Sequence, residues 1–374
     1  MNEDTISSLE RIEAALAVKQ ADRVPAAPMI AIHAASIANV SVKDFLFNFE
    51  IAQKAARKVF DLYNGLDMIT FIPGVGLMYN SPFLSSHSRL FFDWEFFPNL
   101  PPQLHEHPLM EPEDYDKIID EGIIPWLKRP KDFNFNDIFA TQSKMKKEVR
   151  YWNRERQVHT FISATCTTPF DLLSQFRGVR NFLIDLRRHP DKVKECADFL
   201  APGLAAAAEF MYSQVKGPKR VFIGGVRGSS SFISPAMSAD LFFPSLKKMI
   251  EILVRDDFQI NFHFDTDWTP MLELFNEFLP TKKGVYTLQL ENTDMQKAKE
   301  ICGDNYCIMG NVNSTLQRMG TPHEIEKECI SLINTVGEGG GFILSSGCEV
   351  PLDAPFENVK TIIDSAHKHG IYRK

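Results

Sequence analysis

Short apolar runs recur along the chain, and helix-length amphipathic segments separate them. Eight runs rich in β-branched and aromatic residues are predicted to be strands: residues 25–31, 68–73, 158–164, 220–225, 259–264, 285–290, 307–312 and 341–347. Six segments are predicted to be helical: residues 41–62, 170–216, 235–256, 293–302, 321–336 and 356–370. Strands that are apolar nearly throughout are typical of parallel sheets covered on both faces.

Start signals support three of these helices. Ser41 precedes the first helix, and Thr321 precedes another in which Pro322 takes the first helical position. Asn292 or Thr293 is expected to cap the helix that follows it. Hydroxyl and amide side chains at these positions accept hydrogen bonds from the free N–H groups of a first helical turn.

The alternation of eight strands with helices predicts an α/β protein, and specifically a (β/α)8 TIM barrel that residues 1–374 form as a single domain. An open doubly wound sheet is the alternative. It usually needs a phosphate loop, and the nearest stretch, residues 72–82, lacks the dinucleotide-binding spacing. Residues 74–157 are too long for one crossover, so they are predicted to be an insertion after the second strand. This insertion is expected to be a lid over the barrel mouth, a dimer or partner surface, or a structural flap.

Composition and charge narrow the classes of function. The net charge of −7 argues against nucleic acid as a partner. The first twenty residues lack the basic start and apolar block of a signal peptide, and no apolar run approaches the length of a membrane helix. The six cysteines form no CxxC pair, which favours a reducing cytoplasm over a disulfide scaffold.

Several polar residues follow predicted strands, and a (β/α)8 barrel places its active site at the carboxyl ends of its strands. Five of them are candidates for substrate binding: His33, Tyr79, Arg227, Gln289 and Asn311. A structural alternative stays open for most of them. The histidine and the two amides would then satisfy buried backbone groups, and the arginine would pair with an acid at the mouth.

A second set of residues suggests metal binding. His263 and Asp265 end the fifth predicted strand two residues apart, so their side chains point the same way. Cys348 follows the eighth strand after Gly347, which is expected to let the backbone turn. These three residue types are the usual zinc ligands, and three ligands with one open position form a catalytic site. The structural alternative is a histidine bonded to a carbonyl, a helix-capping aspartate and a buried cysteine.

Three stretches resemble the uroporphyrinogen decarboxylase superfamily, and most closely its corrinoid-linked methyltransferase branch. They are RIEAALAVKQADRVPAAP, GNVNSTLQRMGTPHEIEKE and GGFILSSGCEVPLDAPFENVKTIIDSA. The resemblance implies a (β/α)8 barrel in which thiol-methylating members bind zinc through a His-x-Cys pair and a later Gly-Cys. These motifs map onto His263 and Cys348, whereas Asp265 stands where those members have cysteine. Activation of a thiol is therefore less expected here than activation of an oxygen compound.

The decarboxylase branch is disfavoured by charge. Its members carry an arginine-rich stretch after the first strand, because guanidinium groups hold the substrate carboxylates. The matching stretch here, MIAIHAASIANVS, contains no Arg or Lys.

The sequence therefore predicts a methyltransferase that moves a methyl group between a small donor, preferably an aryl methyl ether, and the cobalt of a corrinoid on a separate protein. Zinc would act as the Lewis acid, with His263 and Asp265 as the catalytic residues. The phenylalanine-rich part of the insertion would form an apolar wall for the donor, and a homodimer is expected. One alternative is a metal-independent decarboxylase of a small acid, with Asp265 in the reaction, or of a porphyrinogen-like substrate. The other is a non-catalytic barrel that binds a corrinoid protein or a small ligand.

Overall fold

The structure is a computed structural model that describes residues 5–70, 90–91, 103–104, 108–127, 136–161 and 163–372. Its strands are β1 (Met68–Ile69), β2 (Leu90–Phe91), β3 (Gln103–Leu104), β4 (His159–Thr160), β5 (Ala164–Thr167), β6 (Arg220–Gly225), β7 (Gln259–Phe264), β8 (Tyr286–Leu290), β9 (Tyr306–Val312) and β10 (Phe342–Ser346).

The α-helices are Ser8–Leu16, His33–Ala38, Val42–Phe47, Phe49–Tyr63, Asp114–Glu121, Ile123–Leu127, Asn136–Arg150, Pro169–Arg177, Val179–Arg188, Pro190–Val215, Pro235–Met237, Phe243–Arg255, Leu272–Phe278, Met295–Cys302, Ser314–Met319, Pro322–Val336 and Phe356–His369. Tyr151–Glu155 and Ser238–Phe242 are π-helical, and Thr269–Met271 is a 3-10 turn. None of the helices within the described ranges is long and apolar enough to cross a membrane.

The parallel strands follow one another around the barrel in sequence order, whereas β2 and β3 form a separate antiparallel pair. A parallel ladder runs from β5 through β6, β7, β8 and β9 to β10, and β1 pairs in parallel with β4. On the other side of the ring, Ala26 forms a parallel bridge with Leu344 of β10. The N–H of Asp67, just before β1, donates to the carbonyl of Ala26 at 2.9 Å. The predicted α/β class and the parallel barrel arrangement are confirmed.

Two predicted strands differ from the observed ones. Residues 25–31 form a single bridge instead of a strand, and Pro25 and Pro28 in this segment have no N–H to donate to a ladder. Residues 158–164 divide into β4 and β5, because the hydrogen bonding changes neighbour between them. The N–H of Phe161 still donates to Ile69, whereas the N–H of Ser163 donates to Arg220 of β6.

The longest predicted helix, residues 170–216, is three helices. It breaks at Gly178, which has a φ of +70°, and again before Pro190, which begins the last helix. The predicted helix of residues 41–62 also divides, because Asn48 accepts a hydrogen bond from the N–H of Ile51 and starts a new helix.

Two of the predicted caps are confirmed and the third is wrong. Ser41 accepts from the N–H of Asp44, and Thr321 forms a reciprocal capping box with Glu324. The helix Met295–Cys302 is capped by Asp294 instead of Asn292 or Thr293.

The first helix covers the amino end of the barrel. Its apolar side chains pack against residues of the strand interior in one cluster: Ile12, Ala15, Leu16, Ala27, Met68, Phe161, Cys307, Met309 and Ile343. A second and larger core lies between the strands and the surrounding helices. The polar side chains of the candidate site are at the opposite end, after the carboxyl ends of the strands.

The described parts of residues 74–157 pack on helices around the barrel. The hydroxyl of Tyr115 donates to Asp185 at 3.0 Å, and the buried carboxylate of Glu148 accepts from Arg57 at 2.8 Å. Most of the phenylalanine-rich stretch 91–108 lies outside the described residues. The role of the insertion as a lid or partner surface stays a prediction.

Candidate metal centre

Strand β7 turns His263 into the barrel. Its residues alternate, so Asn261 and His263 face the interior while Phe262 and Phe264 pack in the core outside it. His263 is 7% exposed, and its imidazole stacks on Phe222 of β6, with ring centroids 5.2 Å apart and planes 25° apart. These contacts restrict the orientation of the ring at the carboxyl end of the strand.

Three potential ligand atoms converge beside this ring. The Nε2 of His263 lies 3.2 Å from Oδ1 of Asp265 and 3.4 Å from Sγ of Cys348. All three residues offer a ligand atom within 4.8 Å of the others. Zinc bonds of about 2.0–2.3 Å at tetrahedral angles hold ligand atoms roughly 3.3–3.6 Å apart. The spacing around Nε2 therefore fits one metal ion.

Two polar atoms of this triad lack a hydrogen-bond partner within the part of the chain that the structure describes. Among the described residues, Nδ1 of His263 and Oδ1 of Asp265 are buried without a hydrogen-bond partner. The contact between Nε2 and Oδ1 is an ion-pair contact that lacks the alignment of a hydrogen bond. Most buried polar atoms in proteins are hydrogen-bonded, so unsatisfied atoms at this point favour a site built for a ligand.

The charges of the triad depend on one another. Burial opposes protonation of His263, but Asp265 outweighs it and raises the histidine pKa above its usual value. Burial would raise the pKa of Asp265, whereas the adjacent His263 imidazole outweighs this and lowers it. Burial, followed by the nearby Asp265 and Glu349 carboxyls, raises the pKa of the Cys348 thiol. A metal cation would displace the protons of the imidazole and the thiol, since metals bind both ligands deprotonated.

The turn after β7 places the Asp265 carboxylate. The indole Nε1–H of Trp268 donates to the carbonyl oxygen of Asp265 at 2.9 Å, and the indole stacks on Phe264 at 4.4 Å. Between them, Thr266 has a φ of +71°, a left-handed conformation that is disfavoured for a β-branched residue. Such backbone costs on the order of 1–3 kcal/mol and persists only where surrounding contacts impose it.

Those contacts come from the loops after β6 and β8. The hydroxyl of Thr266 donates to Ser229 at 2.7 Å, and its N–H donates to Glu291 at 3.3 Å. The N–H of Trp268 donates to the hydroxyl of Thr293 at 3.0 Å. These positioning residues were not identified from sequence; the nearest signal was the tryptophan directly after the polar tip of β7.

The loop that carries Cys348 passes close to Glu291. A Cβ at Gly347 would lie 3.0 Å from the Cα of Glu291, and the φ of Gly347 is outside the left-handed region. The glycine therefore relieves crowding where the two loops approach closely, and the expectation that it provides a special turn is corrected.

The first barrel segment supports the same loop. The N–H of Val350 donates to the carbonyl of Met29 at 2.8 Å. His33 is fully buried, with Nδ1 3.1 Å from the carbonyl of Leu352 and Nε2 2.7 Å from the hydroxyl of Tyr63. Both of its nitrogens contact protein atoms, which places His33 in a supporting position.

The two candidate amides also contact protein groups. Asn311 Nδ2 donates to the carbonyls of Glu291 and Thr293 at 2.6 and 3.1 Å. Gln289 is fully buried beside His263 in the β7–β8 register, and its Oε1 accepts from Asn261 at 3.4 Å. These contacts fit a structural role for Asn311. Gln289 lies on the strand next to His263 of the triad.

The remaining candidates lie further around the mouth or outside the described residues. The Arg227 guanidinium lies 4.6 Å from the ring centroid of Phe232, and its backbone N–H donates to Asp171 at 2.9 Å. Asp267 accepts from the N–H of Thr269 at 2.8 Å, so this carboxylate caps the next turn. Tyr79 lies outside the described residues.

Comparison with known proteins shows to which family the chain belongs. The family model described as uroporphyrinogen decarboxylase (URO-D) matches residues 7–369. The chain belongs to the uroporphyrinogen decarboxylase family. This result confirms the resemblance found in the sequence at the level of the family.

Two curated family relatives and one solved structure add detail. The uroporphyrinogen decarboxylase of Pseudoalteromonas atlantica is 33% identical over 77 residues, which is 21% of this chain and 21% of the relative. That of Psychromonas ingrahamii is 32% identical over 75 residues, or 20% and 21% of the two chains. The matched stretch thus spans about a fifth of the length of these relatives. A methyltransferase from Methanosarcina mazei superimposes with a TM-score of 0.69 at 16% identity, covering 97% of this chain and 99% of the other. At that identity the likeness supports a shared fold.

Proposed function

We propose that this family member is a methyltransferase that moves a methyl group between a small donor and the cobalt of a corrinoid held by a separate protein. The observation that carries the proposal is the convergence of His263, Asp265 and Cys348 at the carboxyl end of the barrel. The preferred donor is an aryl methyl ether, so that the reaction is an O-demethylation.

Three side chains would hold the metal, through Nε2 of His263, a carboxylate oxygen of Asp265 and Sγ of Cys348. When bound, zinc would supply a Lewis acid for the donor heteroatom at an open coordination position. The protein orients the imidazole by stacking it on Phe222, and the turn at Thr266 presents the carboxylate. An oxygen ligand in place of a second thiolate makes the donor set harder, which favours an oxygen compound as the methyl donor.

A metal-independent decarboxylase of a small acid is the second candidate. Two carboxyls face His263: Asp265, and the neighbouring Glu349, whose pKa burial raises. The relatives named above are decarboxylases, which also favours this reaction class. Against a substrate with many carboxylates, residues 29–41 contain no Arg or Lys to hold them.

Metal content tests the site directly. We expect about one zinc per chain by mass spectrometry in the wild type, and its loss in both His263→Ala and Cys348→Ser. Cys166→Ser is the matched control, because Cys166 is a partly buried free cysteine on β5 outside the triad. Wild type that contains no metal after preparation with zinc would contradict the proposed centre.

Activity assays then distinguish methyl transfer from decarboxylation. The zinc-loaded protein is incubated with reduced cobalamin and an aryl methyl ether, and the formation of methylcobalamin is followed by absorbance. Methyl transfer that fails in Cys348→Ser and persists in Cys166→Ser supports the proposal. Release of CO₂ from an acid by metal-free protein would favour the second candidate. Wild type that binds no zinc and is inactive in both assays would favour a non-catalytic barrel.

A further inference from the structure

We propose that Trp268 is a positioning residue that sets the affinity of the metal centre by fixing the Asp265 carboxylate. This inference rests on the metal centre of the proposed function. The indole Nε1–H donates to the backbone carbonyl of Asp265 at 2.9 Å. It therefore acts on the carboxylate through the backbone.

The position of Asp265 requires such support. Asp265 is the first residue after β7, and the chain turns immediately through Thr266 with a φ of +71°. A relaxed Thr266 would adopt a right-handed or extended conformation, and the backbone of Asp265 would rotate with it. The carboxylate would then leave its position 3.2 Å from Nε2 of His263.

The indole is a rigid anchor. Trp268 is fully buried and stacks on Phe264, and its ring also contacts Phe242 and Phe275, with centroids 5.4 and 5.9 Å away. The backbone N–H of Trp268 donates to the Thr293 hydroxyl at 3.0 Å. Because packing restrains the ring, the hydrogen bond transmits that restraint to the carbonyl of Asp265.

Trp152 provides a matched control. It is also fully buried, but among the described residues its Nε1 has no hydrogen-bond partner. Substitution of phenylalanine for either tryptophan removes the same atoms and keeps an aromatic ring. Of the two, the change at Trp268 breaks a hydrogen bond to the site, so a specific effect on metal binding separates positioning from packing.

The test is the affinity for zinc, measured by competition with a chromophoric chelator, together with the absorption spectrum of the Co(II)-substituted protein. We expect Trp268→Phe to bind zinc about tenfold more weakly than wild type, in line with the cost of losing outer contacts of a metal site. The Co(II) spectrum should change with it, because the carboxylate ligand is displaced. Trp152→Phe should match wild type in both measurements.

A second variant guards against failure of Trp268→Phe to fold. Thr293→Val keeps the shape of the side chain but removes the acceptor of the Trp268 backbone N–H and a 3.4 Å hydrogen bond to the carbonyl of Thr266. It should also weaken zinc binding and alter the Co(II) spectrum. If wild type binds no metal, the proposed function fails. If wild type binds zinc and Thr293→Val, with any folded Trp268→Phe, binds it equally well with an unchanged spectrum, the role of Trp268 is overturned while the metal centre stands.

Discussion

Buried polar groups at the two ends of the barrel differ in how completely they are hydrogen-bonded and ion-paired. At the amino end, the carboxylate of Asp67 is fully buried and accepts from Arg11 and Arg23 at 2.7 Å each and from the N–H of Ala26 at 2.8 Å. Asp22 completes the set by accepting from Arg11 at 2.6 Å. Opposite charges and hydrogen bonds compensate one another there, so the network is complete within the protein.

At the carboxyl end, the polar atoms of His263 and Asp265 are left incompletely satisfied among the described residues. The difference shows what distinguishes a structural ionic network from a ligand site. In the first, every buried charge has its partner; in the second, the protein maintains donor atoms at a spacing that a cation would complete.

Two buried histidines repeat this contrast. Burial, strengthened by the charge of Arg220, lowers the pKa of His159 at the amino end to about 3. Asp265 raises the pKa of His263 at the carboxyl end despite burial. The same side chain is therefore held neutral at one end and favoured as a cation at the other.

The largest effect is expected from breaking the amino-end network. Asp67→Asn removes the buried carboxylate that Arg11 and Arg23 share, so we expect the free energy of unfolding to fall by about 3–5 kcal/mol. Urea denaturation measures this change. The control is Asp61→Asn, which removes an exposed pair with Arg156 and should cost less than about 1 kcal/mol. Equal effects of the two variants would contradict the contrast.

At the carboxyl end, zinc binding should raise the free energy of unfolding. Zinc at about one hundred times its dissociation constant should raise the free energy of unfolding of wild type by about 2.7 kcal/mol. Cys348→Ser should lose this gain, while its metal-free stability stays within about 1 kcal/mol of wild type, because the thiol is only partly buried. Thermal or urea denaturation with and without zinc gives both values. A variant that is strongly destabilised without metal would make Cys348 a structural residue.

Acidification should lower the stability of the protein through His159 at the amino end of the barrel. The folded-state pKa of His159, about 3, lies below the usual 6.5, so the unfolded chain takes up a proton that the folded chain excludes. Stability from this residue is present above pH 6.5 and falls as the pH drops, by roughly 2 kcal/mol between pH 7 and pH 5.

His159→Gln should flatten that part of the stability profile, measured by urea denaturation at both pH values. His263 has the opposite sign: its raised pKa contributes stability below its unfolded pKa that is lost as the pH rises through the folded pKa. A metal-free His263→Gln variant should therefore lose more stability on acidification than wild type. An unchanged profile in both variants would remove the histidine contrast.

The smallest change in stability is expected at the turn after β7. Thr266→Gly relieves the left-handed backbone but loses the hydrogen bond to Ser229, so the metal-free stability should change by less than about 1 kcal/mol. Zinc affinity should nevertheless fall, since the turn is then less restrained, and chelator competition measures it. Unaltered affinity would show that the hydroxyl of Thr266 is not needed to place Asp265.

Local patterns in the sequence determined much of the fold. Apolar runs predicted the barrel strands and their order, and Ser41 and Thr321 marked helix starts because capping depends on residues within one turn. The pairing of His263 with Asp265 was also predictable, since residues two apart on a strand share a face. The prediction of a first strand was wrong because the prolines of that segment cannot donate to a ladder. The pattern of apolar residues does not reveal this limit.

The tertiary structure decided what depends on long-range approach. Cys348 and His263 are 85 residues apart, and their 3.4 Å contact exists because strands from β7 to β10 end at one mouth. The sequence supplied the three ligand types of the candidate centre, and the barrel supplied their distances. The need for glycine at 347 and the choice of Asp294 as a helix cap likewise became visible only in three dimensions. Periodicity is a local property of the chain, whereas the spacing of a site is set by which loops the parallel strands bring together at their carboxyl ends.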